Sequence, residues 1–463
     1  MKPDAISPLD GRYGDTCRIF SEDFSETALI KHRFLIEGQY LIKFLLRTKG
    51  RLPQKHVKII NAVSKADTAD IQKVKRIETK GTKKFPATRH DVKAVEYRFG
   101  EKLASRGLSC YIPYIHFALT SEDINNLAYA VMLSSALNKR LLPKIAEIRE
   151  CLNYSAKKYK NEILLARTHG QAAVPTTFGK EFRVFSARIQ EELNYLSRLR
   201  LNAKLNGAAG NYNALCASFP RVNWLIFTKD FIAHISKMFK VRLRANLFTT
   251  QIEPHDSCAR LFDSLRRLNT ILIDLCQDMW RYISDGLILL EVKQTEVGSS
   301  TMPQKINPIN FENAEGNLGL ANALFSHFSA KLPISRLQRD LSDSTVERNF
   351  GVPFAHSYIA YLQILEGFSK IAVNSLEAKK MIDLSPEIYA EAIQIILRRE
   401  GKKEGYEKVK KFCRGKKLTK ADIWAFIDSL KLNPEINAEI KKIIECGYTG
   451  LASKIASMED YAG

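Results

Sequence analysis

Apolar residues recur along this chain at the spacing of one face of an α-helix. The clearest run holds Leu261, Leu265, Leu268, Leu272, Leu275, Met279 and Ile283, separated by steps of three and four, which stacks the side chains in one stripe. No proline falls between His255 and Pro303. The pattern predicts a helix over about 254–290, roughly 55 Å long at 1.5 Å per residue. A helix of that length needs partners along all of it, which implies a bundle. A second stripe, Phe182, Phe185, Ile189, Leu193 and Leu196, predicts a helix over about 177–205, and 312–331 and 352–373 read as further core helices. Strand signals are sparse. Loops bearing Gly or Pro at 167–175, 206–213 and 297–308 join the long helices. The first hundred residues read as shorter helices, and the last ninety as short helices rich in Lys. The expectation is an all-α fold of three mostly helical domains, 1–110, 111–366 and 367–463, the middle one a bundle of long helices.

Composition narrows the class. The chain has 463 residues, 45% hydrophobic and 26% charged, the balance of a globular protein. Disorder throughout, a collagen-like repeat and a small disulfide scaffold are excluded. Charge is the unusual feature: 71 Lys and Arg face 50 Asp and Glu, a net +21. The excess fits a nucleic-acid partner, a site for small polyanions, or a drift toward Lys across a lineage. Its densest stretch, 398–420, holds eleven basic residues and three Glu and reads mostly as a solvated face. None of the eight Cys forms a Cys-x-x-Cys pair or sits at zinc-finger spacing from a His, so reduced thiols and no metal are expected. The first residues lack the apolar run of a signal peptide, and the best candidate span, 270–292, is broken by Asp274, Asp278, Arg281 and Asp285. These features predict a cytoplasmic protein.

Chemistry in a helical protein concentrates in its irregular loops. The segment Gly298-Ser-Ser-Thr-Met-Pro-Gln-Lys-Ile-Asn-Pro308 brackets three hydroxyls, Lys305 and Asn307 between a glycine and prolines, ahead of a helix start that favours negative charge. Arg167-Thr-His-Gly-Gln171 carries His169, a natural general acid near neutral pH. Arg89-His90-Asp91 could hold a phosphate or steer another group. In 335–348, Arg339 and Arg348 with Ser344 and Thr345 could clamp a phosphate through charged forks and hydroxyls. Each has a structural alternative: a turn serine, an exposed loop histidine, a surface ion pair, a solvated connection. No P-loop or Gly-x-Gly-x-x-Gly is present.

Taken together, these segments resemble a known family. The loop GSSTMPQKINP resembles the signature loop of the fumarase/aspartase superfamily. ISPLDGRYGD at 6–15, HDVKAVEY at 90–97, HFALTSEDINN at 116–126, RTHGQ at 167–171, NGAAGNYNA at 206–214, TTQIEPHD at 249–256, ENAEGNLGL at 312–320 and LPISRLQRDLSDSTVERN at 332–349 resemble the adenylosuccinate lyase family of bacterial type, over nearly the whole chain. The resemblance implies two reactions of purine nucleotide biosynthesis. Adenylosuccinate would be split to AMP and fumarate, and the succinylated aminoimidazole carboxamide ribotide (SAICAR) to AICAR and fumarate. No cofactor and no metal are implied. The partners implied are these small molecules and three further copies of the chain, in a tetramer with a twenty-helix core and sites shared between subunits. Nucleic acid and membrane are not implied.

The resemblance also assigns roles. Ser299 is implied as general base and His169 as general acid, with His90 supporting binding or orientation. Lys305 and Asn307 would stabilise carboxylate charge, and Glu312 would pair with the catalytic His. Thr120, Ser121 and Ser300 would hold succinyl carboxylates, and Gln251 and Asn313 would contact substrate. Arg12, Tyr13, Arg89, Asp91, Arg339, Ser344, Thr345 and Arg348 would bind the ribose phosphate and its neighbours. Bacterial-type relatives commonly carry His where this chain has Gln304, and Asn where it has Arg89. The alternative reading is another lyase of the superfamily, such as argininosuccinate lyase. A substrate with roughly four negative charges calls for a locally positive site.

Overall fold

Where the apolar period is three to four, the chain is helical. The computed structural model describes residues 4–291, 302 and 305–459. Its main elements in chain order are α1 (Glu26–Lys49), α2 (Gln54–Val63), α3 (Thr68–Thr79), α4 (Asp91–Ala104), α5 (Ser121–Ala136), α6 (Leu142–Lys158), β1 (Ile163–Thr168), β2 (Gln171–Thr177), α7 (Phe178–Arg198), β3 (Leu201–Ala203), α8 (Trp224–Phe239), β4 (Leu243–Ala245), α9 (Asp256–Ser284), β5 (Ile288–Leu290), α10 (Ile309–Lys331), α11 (Ser342–Glu347), α12 (Gly351–Phe368) and β6 (Ile371–Val373). The shorter helices of the last ninety residues, Ala390–Arg399, Gly405–Cys413, Lys420–Ser429 and Pro434–Glu445, follow. The expected all-α class holds, and among the described residues six strands form two-stranded pairs.

The long helices stop earlier than their apolar stripes suggest. α9 ends at Ser284 rather than near 290, because Gly286 turns the chain at a φ of +71° and Ile288–Leu290 then pairs antiparallel with β6. The same pairing ends α12 at Phe368. α7 ends at Arg198, and Leu201–Ala203 leaves to pair in parallel with β4. At 288–290 and 371–373 β-branched or Leu-rich residues continued the apolar pattern while the backbone changed partner, which periodicity alone does not report. The loop expected at 167–175 is an antiparallel hairpin, β1 with β2, in which Thr168 faces Gln171.

Two compact units are present: 1–144, 192–270 and 316–360 in the first, and 145–191, 271–315 and 361–463 in the second. The first holds a core of Phe34, Leu41, Ile60, Val74, Val95 and Phe99 from α1 to α4, all fully or almost fully buried. It also holds an aromatic cluster in which Phe262 meets Phe325, Phe328 and Phe350 with ring centroids 5.8, 5.4 and 5.3 Å apart. The second unit packs Leu165 with Ile393, Ile423, Ile427 and Ile440 of the short helices.

One buried polar knot ties three loops of the first unit. Asp123, in the first turn of α5, and Lys204, just after β3, are both fully buried and 2.8 Å apart. Asp123 also accepts the backbone N–H of Thr120 at 2.9 Å, of Asn206 at 3.0 Å and of Gly207 at 3.1 Å. Lys204 donates to the carbonyls of Gly207 at 3.1 Å and Gln251 at 2.8 Å. Asn126 completes the knot, accepting the Lys204 N–H at 2.8 Å and donating to the Lys204 carbonyl at 3.2 Å. The close approach of the loops demands glycine at 210, where a Cβ would lie 2.3 Å from the Thr249 carbonyl oxygen and φ is +80°. Removing one partner of such a pair leaves an uncompensated buried charge. Lys204→Met should therefore cost about 3–5 kcal/mol in urea unfolding, and Lys204→Met combined with Asp123→Asn should regain part of it.

Candidate active site

A pocket of about 550 Å³ opens in the first unit beside that knot. Its walls bring together nine residues expected from the sequence: Arg89, His90, Asp91, Thr120, Ser121, Gln251, Arg339, Ser344 and Arg348. The elements explain the placement. His90 is the N-cap of α4, its Nδ1 accepting the Lys93 N–H at 3.2 Å. With Nδ1 occupied as an acceptor, the neutral ring carries its proton on Nε2, which lies 3.3 Å from Ser121 Oγ. Thr120 and Ser121 start α5, where free N–H groups and the helix dipole suit an anion. Arg89 has a φ of +48° and is fixed there by its N–H bonding the Glu78 carbonyl at 2.9 Å. The carbonyl of Gln251 is the one gripped by Lys204.

Charge in the pocket is arranged in pairs. The Asp91 carboxylate lies 2.9 Å from the buried Arg33 and 3.3 Å from Arg348. Burial works against its ionisation, but the two guanidiniums and the Val92 N–H prevail and hold it below the usual carboxylate range. Arg33 is aimed in turn by Asn125, whose Oδ1 accepts its Nε at 2.9 Å. Arg339 lies 3.4 Å from Glu122. Glu122 is fully buried, and neither of its carboxyl oxygens has a hydrogen-bond partner among the described residues. Ligand atoms of Glu122, His255 and Glu347 all lie within 4.8 Å of one another, each residue buried. Burial, then the charges of Asp343 and Asp123 against the pull of Arg339 and Lys204, pushes Glu122 up to about 8. Burial and the neighbouring Glu122 and Asp343 raise Glu347 well above its ordinary value, while burial lowers His255. Burial thus favours the protonated form of both carboxyls.

The remaining expected residues sit elsewhere. Arg12 and Tyr13 stack on each other, the guanidinium 5.9 Å from the ring centroid. Their segment borders a second hollow of about 480 Å³ lined by Asp10, Gly14 and Arg348, so Arg348 serves both hollows. Thr345 is exposed on α11 and does not line the pocket. In the second unit His169 is exposed at the tip of the β1–β2 hairpin. His169 and Gly170 form its two-residue turn with φ of +54° and +74°, the signs a type I′ turn requires. Lys305 is exposed, its N–H bonded to the Met302 carbonyl at 3.0 Å, and Asn307 and Asn313 are half-buried. Glu312, in the first turn of α10, accepts a hydrogen bond from Trp280 Nε1 at 3.0 Å. Ser299, Ser300 and Gln304 lie outside the described residues.

Arg33, Asn125, Glu122, His255 and Glu347 were missed as site residues. Four of them stand inside family motifs, Glu122 and Asn125 in 116–126, His255 in 249–256 and Glu347 in 332–349; burial sets Glu122, His255 and Glu347 apart, and its contact with Arg33 sets Asn125 apart. Arg33 gave a weaker sign, a lone guanidinium amid the apolar run of α1.

An acid that keeps its proton to about 8 when folded but releases it near 4.5 when unfolded loses stability for the fold as pH rises through that window. Glu122→Gln should therefore narrow the drop in the urea midpoint between pH 5 and pH 8. An unchanged drop would remove Glu122 from this role.

Comparisons with known proteins bear on the chain as a whole. Residues 11–322 match the lyase family, and residues 335–449 match the adenylosuccinate lyase C-terminal family. The chain is 44% identical to the adenylosuccinate lyase of Dictyostelium discoideum, with 96% of each chain covered. It is 41% identical to that of Escherichia coli K12, with 97% of each covered. In fold it resembles the crystal structure of a fumarate lyase from Mesorhizobium sp. BNC1, at a TM-score of 0.72, 17% identity and 96% coverage of both chains. The 3-carboxy-cis,cis-muconate lactonizing enzyme of Pseudomonas putida superposes at a TM-score of 0.71 with 19% identity and 95% coverage of both. With both family matches in chain order and relatives this similar along nearly all their length, the chain belongs to the adenylosuccinate lyase family.

Proposed function

We propose that this chain is a carbon–nitrogen lyase that eliminates fumarate from adenylosuccinate, giving AMP, and from SAICAR, giving AICAR. The observation that carries the reading is the pocket at the start of α4 and α5, which gathers His90, Ser121, Arg89, Arg339 and Arg348 in a chain similar over its length to adenylosuccinate lyases. Argininosuccinate lyase is not favoured, because the relatives matched carry the purine activity in their names.

Each reaction is a β-elimination. A base takes a proton from the succinyl carbon beside a carboxylate, and the electron pair forms the carbon–carbon double bond. The carbon–nitrogen bond breaks, and an acid returns a proton to the departing nitrogen. Ser299 is the base in this reading and His169 the acid; the exposed hairpin turn supports the latter, since it presents the ring to a substrate. Lys305 and Asn307 stabilise charge on the carboxylate. Thr120 and Ser121 hold a succinyl carboxylate at the helix start, with His90 setting the Ser121 hydroxyl. Arg89, Arg339, Arg348 and Ser344 take the phosphate. Arg12, Tyr13, Asp91, Gln251, Ser300, Glu312, Asn313 and Thr345 complete the proposed set. No metal or organic cofactor enters these steps.

The active form in this reading is a homotetramer with sites built from loops of several subunits, and the protein works in the cytoplasm. Exposed Val184, Trp280 and Leu320 on long helices support burial of those faces against other copies. No described helix is long and apolar enough to cross a membrane.

An ultraviolet assay with each substrate tests the reaction. Turnover of both is expected, reduced about 10²–10⁴-fold in Ser299→Ala and in His169→Ala. Silence of the folded protein with both substrates would overturn the reading. Mixing and reassembling the two inactive variants should restore activity, and none in confirmed mixed tetramers would reject shared sites.

A further inference from the structure

We propose that two joined basic hollows in the first unit form a binding site for a nucleoside polyphosphate, separate from the candidate active site. The first hollow, about 700 Å³, is lined by Arg198, Arg200, Arg244 and Arg260 with Tyr195 and Asn194. The second, about 780 Å³, adds Arg242, Lys237 and Lys240 and shares Arg198 and Arg200 with the first. Among the described residues, no acidic side chain lines either hollow. None of these basic side chains forms an ion pair with a carboxylate among the described residues. This sets the hollows apart from the candidate active site, where arginines face Asp91 and Glu122.

The scaffold brings these charges together and holds them. The parallel pairing of β3 and β4 places Asn202 opposite Arg244, and Asn202 Oδ1 accepts the Arg244 Nε at 2.9 Å. Arg242 is held by the Ser197 carbonyl at the end of α7. Both contacts fix a guanidinium while leaving other N–H groups of its fork free to bond. Arg198, Lys237 and Lys240 stand at or just past the C-terminal ends of α7 and α8, where the helix dipole already favours cations. That account does not reach Arg200, Arg244 or Arg260. Arg260 lies in the second turn of α9, near the helix end whose dipole favours anions.

Uncompensated like charges repel and destabilise the folded chain unless a counter-charge joins them. Arginine forks match phosphate oxygens in pairs. The first hollow falls within the size range of small-molecule sites. Tyr195, 39% exposed beside four arginines, offers a ring face for a base. A string of phosphates along the shared Arg198 and Arg200, with a base against Tyr195, answers each of these features. A single phosphate would leave most of the cations unanswered.

The test is calorimetric titration of the full chain carrying Arg339→Ala, which weakens the phosphate side of the candidate active site. ATP, inorganic tripolyphosphate and a short single-stranded RNA are the three probes. Saturable binding of ATP and tripolyphosphate is expected, about one per chain. Adding Arg198→Ala and Arg200→Ala should weaken both at least about tenfold. The same two changes in the otherwise natural chain should leave turnover of adenylosuccinate unaltered, which shows that the fold survives. Tyr195→Ala should weaken ATP and spare tripolyphosphate. Absence of binding, or binding indifferent to Arg198 and Arg200, overturns the proposal. RNA bound without either small probe overturns it in favour of a nucleic-acid surface.

Discussion

Everything around the candidate active site of the first unit hangs on a lysine buried against an aspartate. Lys204 and Asp123 are both out of contact with water, a placement whose desolvation cost is recovered only when the remaining donors and acceptors are also satisfied. They are. Asp123 gathers three backbone N–H groups, and Lys204 gathers two carbonyls. Those backbone groups belong to three segments, of which those of Thr120 and Gln251 line the pocket. The start of α5 is set by Thr120, the glycine-bearing loop by Asn206 and Gly207, and the third loop by Gln251. The stability of the ion pair is therefore also the geometry of the pocket. A shift of any one loop would leave a charge buried with an empty bond.

Beside this fixed frame, the fold holds several residues in left-handed backbone conformations. Arg89, His116, His169 and His255 all have φ between 48° and 62°, a region uncommon for side chains other than glycine. Each costs on the order of 1–2 kcal/mol. Arg89 faces the pocket, His169 tips the hairpin and His255 lies near Glu122. The fourth, His116, stands 2.5 Å from the buried Glu37, whose charge outweighs the burial of the ring and raises it to about 9. Strain kept at such positions is the price of aiming a ring or a guanidinium where regular structure would turn it away.

The helices were legible because their burial has a period. The stripe from Leu261 to Met279 is fully or almost fully buried as the steps of three and four require. The ends were less legible. Residues 288–290 and 371–373 look as apolar as the helices before them, and only their pairing with one another decides their conformation. The site was legible through motifs rather than periods. Nine expected residues meet in one pocket, while the contacts that aim them were hidden. Nothing in the spacing of Arg33, Asn125 and Asp91 says that they form a chain of contacts, since the three come from three separate helices. Glu122 reads as an ordinary helix-start acid until its burial is known.

The charge of the pocket departs from the simplest expectation. Arg33, Arg89, Arg339 and Arg348 line it, but so do Glu78, Asp91, Asp340 and Glu347. With Glu347 pushed toward its protonated form, four guanidiniums face three carboxylates, a small excess rather than a strongly positive wall. What the pocket offers an anion is therefore less net attraction than fixed donors: guanidiniums whose directions are set by carboxylates behind them, and a helix start with free N–H groups. Such an arrangement suits a substrate whose phosphate and carboxylates must be held at definite distances while charge moves between them. Unbalanced charge lies elsewhere, in the hollows around Arg198 and Arg200 and along the stretch 398–420, with eleven basic residues against three Glu. Long-range attraction and close-range positioning are thus assigned to different surfaces. In the pocket, the opposing charges on the walls keep each arginine from being satisfied by bulk attraction alone, so that binding depends on the fit of the forks.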